Sequence, residues 1–353
     1  MLRTWRQRFT ITDVFIWLIG LSIAALVIWG TISTLRQGQY SGSVWLDLTI
    51  KGLALGGVYA LIAMGYTMVY GILKMINFAH SEIFMSGPFT AVFVAIALSK
   101  SGFLNKQPVI SLALILVVSM GVSTLIAILL ERIAYRPLRN APRLVPLITA
   151  IGASFFLQYT FRGFYGSGTY GYPAITSLET FWTVAGVHIY KTQVVVIVGA
   201  ILMMLILFGV VQWTKIGKAM RAVSEDKEAA ELMGIDVDKI IVFTFGLGGA
   251  SAGAAGILYT LLFPVVTFYM GFFPGIKAFT AAVLGGIGNV PGAFLGAIIL
   301  GLLESVGPNL FLTGLGIPSP SQLKDAIAFI VLVLILIFRP TGILGERISK
   351  DKA

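Results

Sequence analysis

Apolar runs of about twenty residues, parted by short polar stretches, recur from one end of the chain to the other. A bilayer's hydrocarbon core is about 30 Å thick, which an α-helix crosses in roughly 20 residues, and backbone amides inside it must pair within the segment. Each run therefore predicts a membrane-spanning helix. Ten are read: residues 13–35, 45–73, 77–98, 109–130, 144–161, 192–213, 240–263, two from the long run 276–306, and 323–338. The long run is divided because "GGIGNVPG" interrupts it, and its halves are short enough for either to be re-entrant. The expected fold is an all-α polytopic membrane protein of eight to ten spans. The first span follows a basic start, "MLRTWRQR", with no small-residue cleavage pattern behind it, and is read as a retained anchor rather than a cleaved leader.

Composition agrees and narrows the classes. Hydrophobic residues make up 57% of the chain and charged residues 11%, with a mean hydropathy of +0.93; soluble domains carry about a quarter charged residues. The net charge of +10 forms no basic stripe with interleaved aromatics, so nucleic acid is not an expected partner. Its meaning lies in its distribution. With the N-terminus inside, 17 of the 25 basic residues fall on the inner side, which predicts that both termini are cytoplasmic. There are no cysteines, which excludes disulfides and thiolate chemistry.

In this topology the longest inner loop, residues 214–239, holds an island of charge, "EDKEAAELMG". Helix formers dominate from Gly217 to Met233, and Gly234 stands where a helix of that length needs a left-handed residue. Met220, Val223, Met233, Ala219, Ala229 and Ala230 offer an apolar flank, opposite Lys218, Arg221, Glu225, Asp226, Glu228 and Glu231. Such a helix lies on the membrane surface or docks in a groove of a soluble partner, unless it is a solvated linker held by i,i+4 charge pairs.

The pattern Glu228-Ala229-Ala230, three residues, Gly234 resembles the EAA loop of permease subunits in ATP-binding-cassette (ABC) importers, although the family's I-x-L-P continuation reads "TFGL" here, Thr244 to Leu247. Three blocks sharpen the resemblance. Gly52 to Phe89, with N-x-A-H-[GS]-E at Asn77 to Glu82, "GKAMRAVSEDKEAAELMGID", and Gly271 to Ser305 are similar, in that order, to the branched-chain amino acid permeases of such importers. The likeness covers residues 45–340. Residues 1–44 are read as a basic start plus an added first span, and 341–353 as a basic inner tail. The resemblance implies a type II importer permease in a bacterial inner membrane, paired with a homologous second permease, two cytoplasmic ATPases and a periplasmic binding protein. It implies ATP and Mg on the ATPases and no cofactor on this chain, in keeping with the absence of a G-x-x-x-x-G-K-[ST] loop. It makes Gly217, Arg221, Glu225, Asp226, Glu228, Ala229, Ala230 and Gly234 the ATPase-coupling residues.

Other residues are candidates for the translocation path or its gate. Asn77, His80 and Glu82 are expected at the inner start of the third span, lining the mouth of a path or capping a helix N-terminus. Gly285, Gly286 and Gly288, with Pro291, break a span so that unwound backbone can meet substrate or flex. The G-x-x-x-G steps at Gly52/Gly56, Gly249/Gly253 and Gly288/Gly292/Gly296 read as helix packing. Lys51, Lys277 and Glu304 are expected to snorkel at outer helix ends. The outer loop from Arg162 to Lys191 is the candidate contact for a delivery protein. His80 and His188 fall on opposite sides, so no metal site is expected, and no nucleophile, base and orienter come together for catalysis. The expected function is import of branched-chain amino acids energised by separate ATPases. Urea or another small polar solute fits the same machine. An ion-coupled secondary transporter fits less well, because no carboxylate is placed near the middle of a span.

Overall fold

A computed structural model describes residues 11–139, 141–142, 144–184, 186–339 and 341–345. Its helices are α1 (Ile11–Gln37), α2 (Gly42–Leu73), α3 (His80–Lys100), α4 (Phe103–Lys106), α5 (Pro108–Leu130), α6 (Leu144–Tyr165), α7 (Lys191–Trp213), α8 (Lys215–Glu225), α9 (Lys227–Leu232), α10 (Val237–Leu262), α11 (Phe272–Gly285), α12 (Val290–Gly307) and α13 (Lys324–Phe338). Among the described residues, nine helical stretches are long and apolar enough to cross a membrane. The tenth apolar helix, α11, has 14 residues, about 21 Å of helix, too short to cross the core alone. The interrupted run thus yields one short helix and one full one.

Lipid and protein divide the helices. α2 is buried along most of its length, enclosed by α7, α10, α11 and α12, whereas α1 and α13 expose apolar faces such as Trp17, Trp29 and Val333. No hydrophobic effect drives helices together in lipid, so close backbone approach must come from small residues. A Cβ on Gly56 would come within 2.9 Å of the backbone of Ile298 on α12, and one on Gly253 within 2.6 Å of the Ser119 carbonyl on α5. Hydroxyls then pin the seams: Ser119 Oγ donates to the Gly253 carbonyl at 2.7 Å, and Ser305 Oγ to that of Leu48 at 2.6 Å. α1 rests on the continuation of α12, where the Gly314 amide donates to Thr34 Oγ1 at 2.7 Å.

Strands are confined to one face. Two-residue strands β1 (Tyr170–Gly171) and β4 (Val265–Val266) join the loop after α6 to the loop after α10, and β2 (Phe181–Val184) pairs with β3 (Val187–Tyr190) as a hairpin. The loop carrying α8 and α9 lies on the opposite face, since α7 and α10 each run the full thickness between them.

The break "GGIGNVPG" is a built turn. Asn289 caps α12, its Oδ1 accepting from the Gly292 amide at 2.9 Å, while its Nδ2 donates to the Leu344 carbonyl. The Leu284 and Gly285 carbonyls accept from the amides of Ile343 and Leu344 at 2.8 and 2.9 Å. Gly285 and Gly286 therefore have their backbone engaged by the tail or the turn, whereas Gly288 is exposed, with nothing within 4 Å of where its Cβ would lie. Gly286 sits at φ +109, where a Cβ would lie 2.5 Å from the Gly345 nitrogen.

A correction concerns depth. After α2 ends at Lys74, in the left-handed conformation with φ 54, the chain turns back into the bundle before α3 begins. The His80 ring lies 3.6 Å from where a Cβ on Gly248 would be, and Gly248 is near the middle of α10. α3 consequently starts deep between other helices, not at their inner edge.

Candidate functional site

Glu82, on the first turn of α3, has no exposed surface. Its Oε1 accepts from Gln158 Nε2 at 2.7 Å, Ser154 Oγ at 3.1 Å and Ser81 Oγ at 3.3 Å; its Oε2 has no partner. Ser154 is at the midpoint of α6, so the expectation that no carboxylate lies near mid-span is overturned. Because α3 begins inside the bundle, Glu82 reads as a terminal residue in sequence and as a central one in space. Charge at this depth is costly unless partnered, and such groups mark pathways and gates. α11 also begins here: Cβ atoms on Gly271 and Gly275 would collide with Ser81. His80 stacks edge-on against Tyr66, centroids 4.7 Å apart, and its Nε2 is also unpartnered.

Asn77, just ahead of α3, accepts at Oδ1 from the Tyr135 hydroxyl at 2.5 Å. Tyr135 closes a wide π-type turn, Glu131–Tyr135, that continues α5. Glu131, wholly buried, is bonded by Arg139, which also bonds Asp238 at the start of α10; Arg136 lies 3.5 Å from Glu131. Sequence reasoning used Arg136 and Arg139 only as topology markers and passed over Glu131. The signal was present as one acid with arginines five and eight residues on, but no helical period pairs those positions.

The inner loop forms two helices rather than one. Asp226 interrupts the expected helix by capping α9, its carboxylate accepting from the Ala229 amide at 3.0 Å, and Gly234 takes the left-handed conformation at φ +82. The corner from α7 into α8 is tightly made. Thr214 Oγ1 accepts from the Gly217 amide at 3.0 Å. A Cβ on Gly217 would strike the Val210 and Val211 carbonyls. Arg221 donates to the carbonyls of Val211 and Gln212, satisfying the C-terminal end of α7. The apolar flank divides: Met220, Val223 and Ala230 are buried, but Ala229 and Met233 are exposed, as is Leu232 at 89%. Glu225 and Glu228 are exposed beside them. Lys227 faces inward instead; partial burial, then Arg139 and Lys74, hold its pKa below the usual lysine value. Lys227 on α9 thus lies within electrostatic reach of Arg139.

On the opposite face, Lys277 and Glu304 are not snorkelling but buried as a pair. Lys277 Nζ donates to Glu304 Oε1 and Asp325 Oδ1, both at 2.6 Å, and the Tyr59 hydroxyl donates to Glu304 Oε2 at 3.0 Å. The pairing joins residues on α2, α11, α12 and α13, which no sequence spacing advertises. Lys51 does stay exposed, paired with Asp47 at 2.6 Å. Among the described residues, no three His, Cys, Asp or Glu side chains gather to hold a metal.

A bundle of long apolar helices with a carboxylate buried at its centre and a braced helix pair on one face defines an all-α polytopic membrane protein. Residues 48–336 match the family described as branched-chain amino acid transport system / permease component. The chain belongs to that family. It is 42% identical over 305 residues to the high-affinity branched-chain amino acid transport system permease protein BraD of Pseudomonas aeruginosa, covering 86% of this chain and 96% of that one. It is 39% identical over 311 residues to the permease LivH of Escherichia coli K12, with the same coverages. A solved structure described as a metal-chelate type ABC transporter in an inward-facing conformation aligns over 91% of this chain and 98% of that one, with TM-score 0.45 and 17% identity.

Proposed function

We propose that this chain is the permease subunit of an ATP-driven importer that moves branched-chain amino acids across a bacterial inner membrane, with both termini cytoplasmic. A homologous second permease, two cytoplasmic ATPases that bind ATP and Mg, and a periplasmic binding protein complete it. The observation that carries the proposal is the α8–α9 pair: rigidly braced on α7 by Gly217 and Arg221, yet presenting Leu232, Met233, Glu225 and Glu228 unpaired on the inner face. An apolar, acidic-rimmed edge of this kind suits a groove on a soluble partner.

Motion imposed on α8–α9 has two routes into the bundle. One runs directly along α7. The other passes from Lys227 on α9 to the Arg139–Glu131–Asp238 cluster, through Tyr135 to Asn77, and so to His80 and Glu82 at the start of α3. Coupling of this sort needs a contiguous packed network with two arrangements; the ion pairs of Arg139 and the Tyr135–Asn77 hydrogen bond support the stretch of this route from α10 to α3. Glu82 with Ser154 and Gln158 is the proposed gate, holding α6 to α3. Phe155, Phe156 and Tyr159 on the same helix are exposed and form the proposed face toward the second permease.

The test is reconstitution of this chain with its second permease, ATPases and binding protein, following leucine and urea uptake with and without ATP. Leucine uptake that needs both ATP and the binding protein is the expected result. Uptake by this chain alone on an ion gradient, or urea uptake in place of leucine, sinks the proposal.

A further inference from the structure

On the face opposite α8–α9, the ends of α2, α7, α10, α12 and α13 enclose a cavity of 330 Å³, at the lower end of the roughly 300–1,000 Å³ typical of small-molecule sites. Its polar groups are sorted by sign. Gln193 and Glu304 contribute buried acceptors. The Gln193 Oε1 is without any hydrogen-bond donor, although the residue is only 6% exposed, and an orphaned buried acceptor calls for a ligand or water. Glu304 shares its one cation, Lys277, with Asp325 behind the cavity wall, so two carboxylates share a single ammonium. Lys324, exposed, supplies a cationic group to the lining, while Lys51 is already paired with Asp47. Leu55, Leu262 and Phe263 give the lining an apolar wall, and Ser305, Asn309 and Ser321 complete it with uncharged polar groups.

An acceptor-rich part, a cationic part and an aliphatic wall fit a small zwitterion with a hydrocarbon body. We infer that this cavity is a substrate subsite within the permease, taking a free aliphatic α-amino acid on the face where it arrives. The ammonium binds Gln193 Oε1 beside Glu304, the carboxylate binds Lys324, and the side chain lies on Leu262 and Phe263. The inference rests on the importer reading and adds a place where this chain itself selects the solute. A phosphoethanolamine lipid headgroup shares the two charges but not the aliphatic body next to them.

The experiment uses the assembled complex of both permeases and the ATPases in detergent, without binding protein, and measures radiolabelled leucine binding. Competitors are leucine, leucinamide, 4-methylpentanoate and phosphoethanolamine; binding-protein-dependent uptake is followed in parallel. Saturable leucine binding is expected, with leucinamide and 4-methylpentanoate at least tenfold weaker, since each lacks one charge-assisted contact. Gln193→Leu removes an atom that bonds nothing in the fold, so assembly and ATPase rate should hold while leucine binding weakens tenfold or more. Leu262→Trp should block the cavity sterically. Equal leucine binding in the wild type and both variants overturns the inference, as does displacement by phosphoethanolamine as effective as by leucine. Wild-type uptake without any leucine binding overturns it too. In each of those cases ATP-driven leucine uptake still stands, whereas its absence from the wild-type complex would remove the importer reading itself.

Discussion

Replacing Lys277 with Met tests how the outer half of the bundle is held. The ammonium is 2.6 Å from oxygens of both Glu304 and Asp325, so its loss leaves two carboxylates facing each other across the volume it filled. Removing one partner of a buried ion pair costs about 3–5 kcal/mol, because the other charge stays buried and uncompensated. Asp325 softens this, with its side chain 42% exposed, whereas the Glu304 side chain is 2% exposed and keeps only the Tyr59 hydroxyl. The expected loss is therefore near the lower bound, about 3 kcal/mol. Lys277→Met combined with Glu304→Gln leaves only the half-exposed Asp325 charged and should recover at least half of that loss. Reversible SDS denaturation of the purified subunit, followed by the fluorescence of its six tryptophans, measures both. A single variant within 1 kcal/mol of the wild type, or a double variant less stable than the single, would refute the reasoning.

Two further substitutions probe the inner half. Gly217→Ala drives a methyl group into the rigid carbonyls of Val210 and Val211 and should cost about 1–3 kcal/mol, as overpacking does. It should also cut ATP-driven uptake at least tenfold while the ATPases still hydrolyse ATP; unchanged uptake would show that the α7–α8 corner transmits nothing. Glu82→Gln keeps an acceptor for Ser154 and Gln158 but removes a buried charge, so stability should hold or rise while uptake falls at least tenfold. Wild-type transport by this variant, measured in the same vesicles, would dismiss the carboxylate as a gate.

What could be read from sequence followed the medium. Spans are legible because lipid demands long apolar helices, and the loop of α8 and α9 because charge stands out against them. Which helix is central was not legible: α2 and α7 are both apolar all round, and nothing in their composition says that one faces protein and the other lipid. Only the glycine steps hinted at it, through Gly52 and Gly56. The depth of Glu82 was missed because a helix was taken to start at the membrane edge, whereas Lys74 in the left-handed conformation sends the chain back inside. The Lys277–Glu304–Asp325 set was missed for another reason. Its members are separated by 27 and 48 residues from the lysine, and only the close packing of α11 with α12 and α13 brings them together.

The two buried charge clusters and the lone carboxylate divide the labour of the bundle. Lys277 with its two acids fixes α11, α12 and α13 to one another, and Glu131 with its two arginines fixes α5 to α10. Each is a multiply bonded charge set whose rupture costs several kcal/mol, so neither is suited to open at every transport cycle. Glu82 differs. It binds α6 only through Ser154 and Gln158, two hydrogen bonds with no countercharge behind them and a net worth of about 1 kcal/mol each, and its second oxygen is already without a donor. A gate must sit within a few kcal/mol of its alternative state for partner binding to shift it. Of the buried acidic sites, only the contact between α3 and α6 is weak enough to break and reform, and it lies where Asn77 brings the inner cluster to α3. On the proposed mechanism, α6 is therefore the helix that moves, and the clusters are what it moves against.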